Sequence, residues 1–187
     1  METLTKEYSL DELIHNQSKH KYSYADYLLW TFQERVEIIK GKLFNMSPAP
    51  RRIHQKIHSM IFTDIAVSLK GKPCEIYSAP FDVRFPIQFE DSDEQTYTVV
   101  QPDICVVCDL KKLDDAGCKG APNLIVEILS PTTASKDLNE KFDLYEEHGV
   151  QEYWLVYPGE SVLEIYDLTD KKYSLRGKFV RNSTLLS

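Results

Sequence analysis

The sequence predicts an α/β protein in which helices flank a mixed central β-sheet, with an N-terminal helix and a β-hairpin before it. Three observations support this fold class. Apolar residues recur at helical spacing in two long segments, 52–70 and 136–148. Short β-branched and aromatic runs lie between and after them, at 103–107, 124–129 and 153–157. Helices and strands mixed in this way are typical of a sheet with helices packed on its faces.

Length and composition predict one ordinary globular domain. The chain has 187 residues, of which 42% are hydrophobic and 27% charged. We expect residues 1–20 to form a loose N-terminal arm and residues 21–187 to form the domain. No apolar run is long enough to cross a bilayer, and the N-terminus lacks the apolar region of a signal peptide. We therefore expect a cytoplasmic protein without a membrane partner.

The N-terminal elements are predicted from caps and spacing. Ser23 is a good cap for a helix over about 24–34, where Tyr24, Tyr27, Leu28 and Phe32 have helical spacing. Residues 36–39 and 42–45 then read as a hairpin that turns at Lys40-Gly41, followed by a loop at 46–50.

A long helix is predicted from about Arg52 to Lys70, ending before Gly71. Isoleucine or leucine recurs at every fourth position, which we interpret as the buried stripe: Ile53, Ile57, Ile61, Ile65 and Leu69.

The remaining elements are mostly strands. A polar connection at 109–120 and a helix-entry segment at 130–135 separate them, and the helix over 136–148 ends before Gly149. The predicted strands cover 75–78, 81–85, a stretch from 99 or 103 to 107, 124–129, 153–157, 163–166 and 172–175.

The cysteines do not indicate a zinc site. We expect four reduced thiols at Cys74, Cys105, Cys108 and Cys118. Cys105 and Cys108 have C-x-x-C spacing, but residues three apart on a strand point to opposite faces, and no second pair completes a site. We interpret both as small buried hydrophobic residues.

His54 and His58 lie four apart, which is the spacing of a zinc-binding histidine pair. The metalloprotease motif has Glu after the first histidine, where this chain has Gln55. We therefore expect His54 to form hydrogen bonds in an active site or to nucleic acid, and His58 to be an ordinary helix residue.

Charge is unevenly distributed. The net charge of the chain is −7, but residues 40–72 carry +6 and the remainder −13. The basic segment 40–72 is either a phosphate-facing surface or simply a solvated surface, and charge alone does not distinguish the two.

Two carboxylates occupy apolar strands. Asp103 begins one strand, and Glu127 lies inside another among Leu124, Ile125, Val126, Ile128 and Leu129. Neighbouring strands would bring both acids to one end of the sheet, where they suit Mg²⁺ or Mn²⁺ with bound waters. The alternative is that Asp103 caps a turn and Glu127 pairs with a lysine.

A lysine is available on the following helix. Asp137 and Lys141 lie four apart and thus share one face of that helix. Lys141 either reaches back over the strand ends, where a cation assists phosphate cleavage, or forms an exposed ion pair with Asp137.

An ordered series of motifs resembles the Uma-type family of the PD-(D/E)xK restriction-endonuclease-like superfamily. The series comprises Pro102-Asp103, Glu127-Ile128-Leu129-Ser130-Pro131, Asp137-x-x-x-Lys141, Tyr145, Gly149-Val150 and Glu152-Tyr153-Trp154. Upstream, the hairpin Glu37 to Leu43, Met46-Ser47-Pro48, His54-Gln55 and Phe81 to Arg84 are similar too. The resemblance covers about residues 20–175.

The resemblance implies a restriction-endonuclease-like fold, Mg²⁺-dependent hydrolysis of DNA and a homodimer. It implies that Asp103 and Glu127 hold the metal and that Glu37 adds a third acid. Leu129 stands where the superfamily motif has lysine, and Lys141 matches a lysine that has moved to the helix. Two further residues, His54 and Asp82, would complete the polar lining of the active site. A non-catalytic nucleic-acid-binding or assembly module and an RNA nuclease remain the alternatives.

Overall fold

The computed structural model describes residues 9–46, 50–130 and 136–180, without the side chains of 136–139. The predicted segments at 46–50 and 130–135 therefore lie largely outside the described residues. The helices are α1 (Leu10–Asn16), α2 (Tyr24–Tyr27), α3 (Arg52–Ser68) and α4 (Lys136–His148). The strands are β1 (Val36–Ile39), β2 (Lys42–Asn45), β3 (Glu75–Ser78), β4 (Val83–Arg84), β5 (Val99–Val100), β6 (Ile104–Val107), β7 (Leu113–Asp114), β8 (Gly117–Lys119), β9 (Leu124–Ile128), β10 (Glu152–Tyr157), β11 (Val162–Thr169) and β12 (Lys172–Val180).

The chain divides into two compact units. The first comprises residues 1–46 and 84–100, and the second comprises 47–83 and 101–187. The single domain over 21–187 stays a prediction. In the described part of the chain, no helix is long and apolar enough to cross a bilayer.

The first unit is built on the predicted hairpin. Strand β1 pairs antiparallel with β2 and, on its other side, with β5. The turn between β1 and β2 uses positive φ at Lys40 and Gly41, and a Cβ at Gly41 would lie 2.8 Å from Lys21 Cβ, so glycine fits there. The apolar cluster of this unit is formed by Leu10, Leu13, Tyr22, Tyr24, Val36, Ile38, Leu43 and Val99.

The N-terminal region differs from the expectation in two ways. Residues expected to form a loose arm include α1, which begins with a capping box between Ser9 and Glu12 and buries Leu10 and Leu13. The helix predicted over 24–34 ends at Tyr27, although Ser23 caps it as expected. Tyr27 and Phe32, which suggested helical spacing, both pack against the ring of Trp30. Tyr27 meets it edge to face, and Phe32 stacks on it.

The second unit contains a mixed six-stranded sheet in the order β12-β11-β10-β9-β6-β3. Strands β9 and β10 are parallel, and every other neighbouring pair is antiparallel. The three strands predicted to be central, β6, β9 and β10, are indeed adjacent. Residues 109–120, predicted as a polar connection, include the short hairpin of β7 and β8.

Helix α3 covers one face of this sheet. Ile57, Ile61, Phe62 and Ile65 pack against a core cluster from β6, β9 and β10. The predicted stripe is wrong at Ile53, whose side chain is 51% exposed. Four residues advance a helix by about 400°, so a strict four-residue repeat drifts by about 40° at each step and cannot stay on one face for four turns.

Two cysteines also depart from the prediction of reduced thiols. Cys74 and Cys108 form a disulfide between the start of β3 and the end of β6, which are antiparallel neighbours. Cys105 and Cys118 are free thiols, as expected, and Cys105 is buried as predicted. Cys108, which was also predicted to be a small buried hydrophobic residue, is instead part of the disulfide. Cys108 is therefore engaged by Cys74 and does not pair with Cys105 in a C-x-x-C zinc site.

Candidate active site

Strand pairing places Asp103 beside the end of β9. Strands β6 and β9 are antiparallel with Ile104 opposite Val126, so the residue before β6 lies next to the end of β9. The backbone N–H of Ile128 donates to Oδ2 of Asp103 at 2.7 Å. Glu127 immediately precedes Ile128, and both acids therefore lie at the same end of two neighbouring strands.

Two histidines of α3 hold Asp103 from the helix side. His54 Nε2 lies 3.2 Å from Oδ2 of Asp103, and His58 Nε2 lies 3.1 Å from its backbone oxygen. Residues four apart share a helix face, so one helix contacts both the side chain and the main chain of this residue. His58 was predicted to be an ordinary helix residue, although its spacing from His54 was a usable signal.

The ionisation of His54 reflects this contact. Its hydrogen bond with Asp103 raises the pKa of the imidazole above its usual value of 6.5, while burial acts in the opposite direction. The Coulombic attraction of Asp103 and Glu127 adds to the increase in pKa. His54 Nδ1 is buried and has no hydrogen-bond partner within the described residues.

Glu127 is held by α4. Its side chain is almost fully buried, and the residue is only 9% exposed. The ammonium of Lys141 donates to Oε1 at 3.0 Å, and the hydroxyl of Tyr145 donates to the same oxygen at 2.8 Å. Two donors on one oxygen compensate the loss of hydration that burial of a carboxylate entails. Tyr145 was not predicted as a site residue, although it lies four residues after Lys141 and thus on the same face of the helix.

An aromatic cluster fixes α4 above the sheet. The ring of Phe142 lies 5.0 Å from that of Tyr166 and 5.1 Å from that of Tyr173, centroid to centroid. The rings of Tyr145 and Tyr153 meet at 5.1 Å. Near the C-terminal end of α4, the carboxylate of Glu146 accepts a hydrogen bond from the backbone N–H of Tyr173 at 2.7 Å. These contacts determine where α4 presents Lys141 and Tyr145.

The other predicted site residues have different outcomes. Asp82 accepts a hydrogen bond from Gln101 Nε2 at 2.8 Å, and its carbonyl accepts from the backbone N–H of Cys118. Glu37 is buried in β1 and belongs to the first unit, and its contribution to the site stays a prediction. Asp137 lies in α4, but its side chain is outside the described residues.

The donor set fits a hard divalent cation. Among the described residues, no group of three or more His, Cys, Asp or Glu side chains could hold a metal ion. Mg²⁺ is commonly bound by only one or two carboxylates, with water and substrate oxygens completing its coordination. Asp103 and Glu127 supply two such carboxylates. Both hydrogen bonds to the carboxylate of Asp103 end on Oδ2, and within the described residues none ends on Oδ1, which could therefore bind a cation.

The fold and this arrangement together define a restriction-endonuclease-like protein. Its mixed sheet is flanked by helices, two acids lie at the ends of neighbouring strands, and a lysine from a helix contacts one of these acids. A solved structure supports the fold. The crystal structure of a "putative nuclease belonging to DUF820" from Anabaena variabilis superposes with a TM-score of 0.63, at 20% identity, over 82% of this chain and 83% of that chain.

Residues 24–187 match the Uma2 family, which is described as "Putative restriction endonuclease". Because the match covers most of the chain, the protein belongs to this family. It is also similar to the uncharacterized protein slr1290 of Synechocystis sp., with 29% identity over 153 residues, which is 80% of this chain and 76% of that protein. The family predicted from the sequence motifs is thus confirmed.

Proposed function

We propose that this protein is an endonuclease that hydrolyses DNA phosphodiester bonds with Mg²⁺ or Mn²⁺ at the Asp103–Glu127 site. The observation that carries the proposal is the position of Glu127. A buried carboxylate in an apolar strand is costly, and this one is held by Lys141 and Tyr145 at the strand end that also holds Asp103. Such an arrangement is expected where carboxylates have a chemical role.

Each residue of the site would have a different role in hydrolysis. Asp103 and Glu127 would hold the metal, which when bound polarises a phosphate oxygen and favours ionisation of a water. Lys141 would place a positive charge beside the developing negative charge of the transition state. His54, His58 and the N–H of Ile128 would keep Asp103 in place. The basic segment 40–72 would contact the DNA backbone.

The position of Lys141 accounts for Leu129. In the superfamily motif a lysine follows the second acid at this point, where the side chain of Leu129 has no charge to offer. Lys141 reaches Glu127 from α4 instead. We therefore expect Lys141, and not a residue of β9, to be the cation on which cleavage depends.

A plasmid-nicking assay tests the proposal. Purified protein would be incubated with supercoiled plasmid and Mg²⁺ or Mn²⁺, beside Glu127→Gln, Asp103→Asn and Lys141→Ala. Each variant should lose at least about 100-fold in nicking rate, as is typical when an electrostatic group of a site is removed. Two exposed residues provide matched controls, Glu160→Gln and Lys111→Ala, and both should retain wild-type activity.

The outcomes are distinct. Equal nicking by the wild type and Glu127→Gln would indicate a contaminant and refute the proposal. Cleavage of single-stranded RNA but not of plasmid, with the same dependence on Glu127, would assign the site to an RNA nuclease. Folding of each variant would be checked by thermal denaturation, because removal of one partner of a buried ion pair also destabilises the protein.

A second candidate is a nucleic-acid-binding module without catalysis. It is favoured by the pairing of both acids with basic side chains, Lys141 on Glu127 and His54 on Asp103, which satisfies them without a metal. In that case the protein would bind DNA in a filter-binding assay with no dependence on Mn²⁺, and Glu127→Gln would bind equally well.

A further inference from the structure

Helix α3 has a stripe of apolar residues on its outer side. Ile53, Met60 and Val67 are exposed by 51%, 58% and 69%. They are seven residues apart, and seven residues advance a helix by about 700°, only about 20° short of two full turns. The three side chains therefore follow one another along one side of the helix.

This side is distinct from the one that packs on the sheet. The buried side of α3 carries Ile57, Ile61, Phe62 and Ile65, together with the two histidines that contact Asp103. An exposed stripe of large apolar side chains on a helix that is already anchored on its opposite side indicates a second packing partner.

Two opposite charges flank the stripe. Lys56 and Asp64 are both exposed, and neither forms an ion pair with another described residue. They are placed symmetrically, four residues before and four residues after Met60.

The stripe is complementary to itself in one orientation. Met60 is the central residue of Arg52–Ser68. If a second copy of α3 lies antiparallel with the two Met60 residues in contact, Ile53 falls level with Val67 of the partner subunit. In the same register, Lys56 falls level with Asp64 of the partner subunit. A parallel arrangement would instead place like charges level with each other, which is unfavourable.

We propose that α3 is the interface of a homodimer, in which two copies pack antiparallel about a two-fold axis at Met60. Such an isologous interface uses the same patch on both subunits. The apolar stripe supplies the contact, and the two Lys56–Asp64 pairs select the antiparallel register. The dimer contact and the histidines that hold Asp103 then lie on opposite sides of one helix, so the interface leaves their contacts with Asp103 intact.

Sedimentation velocity over a range of protein concentrations tests the proposal without any assay of nuclease activity. The wild type should be dimeric, and Met60→Lys should raise the dissociation constant by at least about 100-fold. Lys56→Glu and Asp64→Lys should each raise it by about 10-fold. The double variant Lys56→Glu with Asp64→Lys should return close to wild type, because the exchanged charges again meet across the two-fold axis. Gln55→Glu, on the same helix but away from the stripe, is the control and should stay dimeric.

Three results would overturn the proposal: a wild type that is monomeric at every concentration, a dimer that persists in Met60→Lys, or a double charge variant no better than the single ones. A monomer whose DNA binding is lost in Met60→Lys would show instead that this side of α3 contacts nucleic acid. Because dimerisation is measured directly, an inactive but dimeric protein would refute the proposed function and leave the interface standing.

Discussion

The hydroxyl of Tyr145 lies 2.8 Å from Oε1 of Glu127, and both side chains are buried. This hydrogen bond joins α4 to β9 and ends on the oxygen that Lys141 also contacts. The carboxylate is thus oriented by a neutral donor and a charged donor on the same helix. We therefore expect Tyr145 to be a positioning residue, which orients the carboxylate of Glu127 without contacting substrate.

Tyr145→Phe should separate positioning from packing. The ring stays in the aromatic cluster while one buried hydrogen bond is lost, so we expect stability to fall by about 1–2 kcal/mol. If Tyr145 orients Glu127, the affinity for Mn²⁺ should fall by about 10-fold or more, as is typical for residues that support a metal ligand. Both quantities are measurable, by thermal denaturation and by calorimetric titration. An unchanged Mn²⁺ affinity would assign Tyr145 to packing alone.

His54 should have a similar effect on the other acid. His54→Ala removes the side-chain partner of Asp103 and leaves only the N–H of Ile128 on that carboxylate. We expect nicking to fall by about 10- to 100-fold, with a parallel loss of Mn²⁺ affinity. Gln55→Ala, an exposed change one residue further along α3, should alter neither. Full activity of His54→Ala would contradict a positioning role for this contact.

Local patterns predicted much of the second unit. The apolar runs that became β6, β9 and β10 are adjacent, and α4 has the predicted bounds of 136–148. The link between Glu127 and Lys141 was also accessible, because a buried acid needs a partner and a helix follows the strand. Two of the notable contacts were not predicted: His58 to Asp103 and Tyr145 to Glu127. Both depend on the tertiary packing of a helix against a strand, which residue spacing alone does not define.

One predicted helix is wrong and one disulfide was not predicted, and both differences have physical causes. The helix over 24–34 was predicted from aromatic spacing, but the helix ends at Tyr27. Trp30, which lies after this end, packs against the rings of Tyr27 and Phe32 instead of continuing the helix. The disulfide was missed because Cys74 and Cys108 are 34 residues apart and become neighbours only when β3 pairs with β6. Such long-range pairings are set by strand register, which the sequence does not specify locally.

The disulfide gives a redox-dependent stability. Cys74 and Cys108 tie together two antiparallel strands at the edge of the six-stranded sheet. Removal of such a crosslink typically costs about 2–4 kcal/mol. We expect a reducing agent to lower the melting temperature of the wild type, whereas Cys74→Ser with Cys108→Ser should melt lower at the outset and not respond to it. An equal response of the wild type and the double variant would contradict the role of this bond.

Glu164 gives a pH-dependent stability in a cluster away from the candidate site. Its carboxylate accepts from the hydroxyls of Tyr157 and Tyr166, at 3.1 and 3.0 Å, and pairs with Lys178 at 3.0 Å. Burial alone would raise the pKa of Glu164, but these hydrogen bonds and the charge of Lys178 outweigh it and hold the pKa below its usual value of 4.5. Reciprocally, burial and Glu164 raise the pKa of Tyr166 to about 12.

The direction of the pH effect follows from this depressed pKa. Above pH 4.5 the carboxylate is ionised in both states, and its hydrogen bonds stabilise the folded protein in full. As the pH falls from 4.5 towards the folded-state pKa, the unfolded state binds the proton first and the contribution of Glu164 is lost. Glu164→Gln should therefore cost about 1–2 kcal/mol at pH 7, and the difference from wild type should shrink below pH 4.5. Urea denaturation at a series of pH values measures this, with the exposed Glu160→Gln as a control that should stay within about 0.5 kcal/mol of wild type. A difference that stays constant down to pH 3 would show that ionised Glu164 does not stabilise the fold.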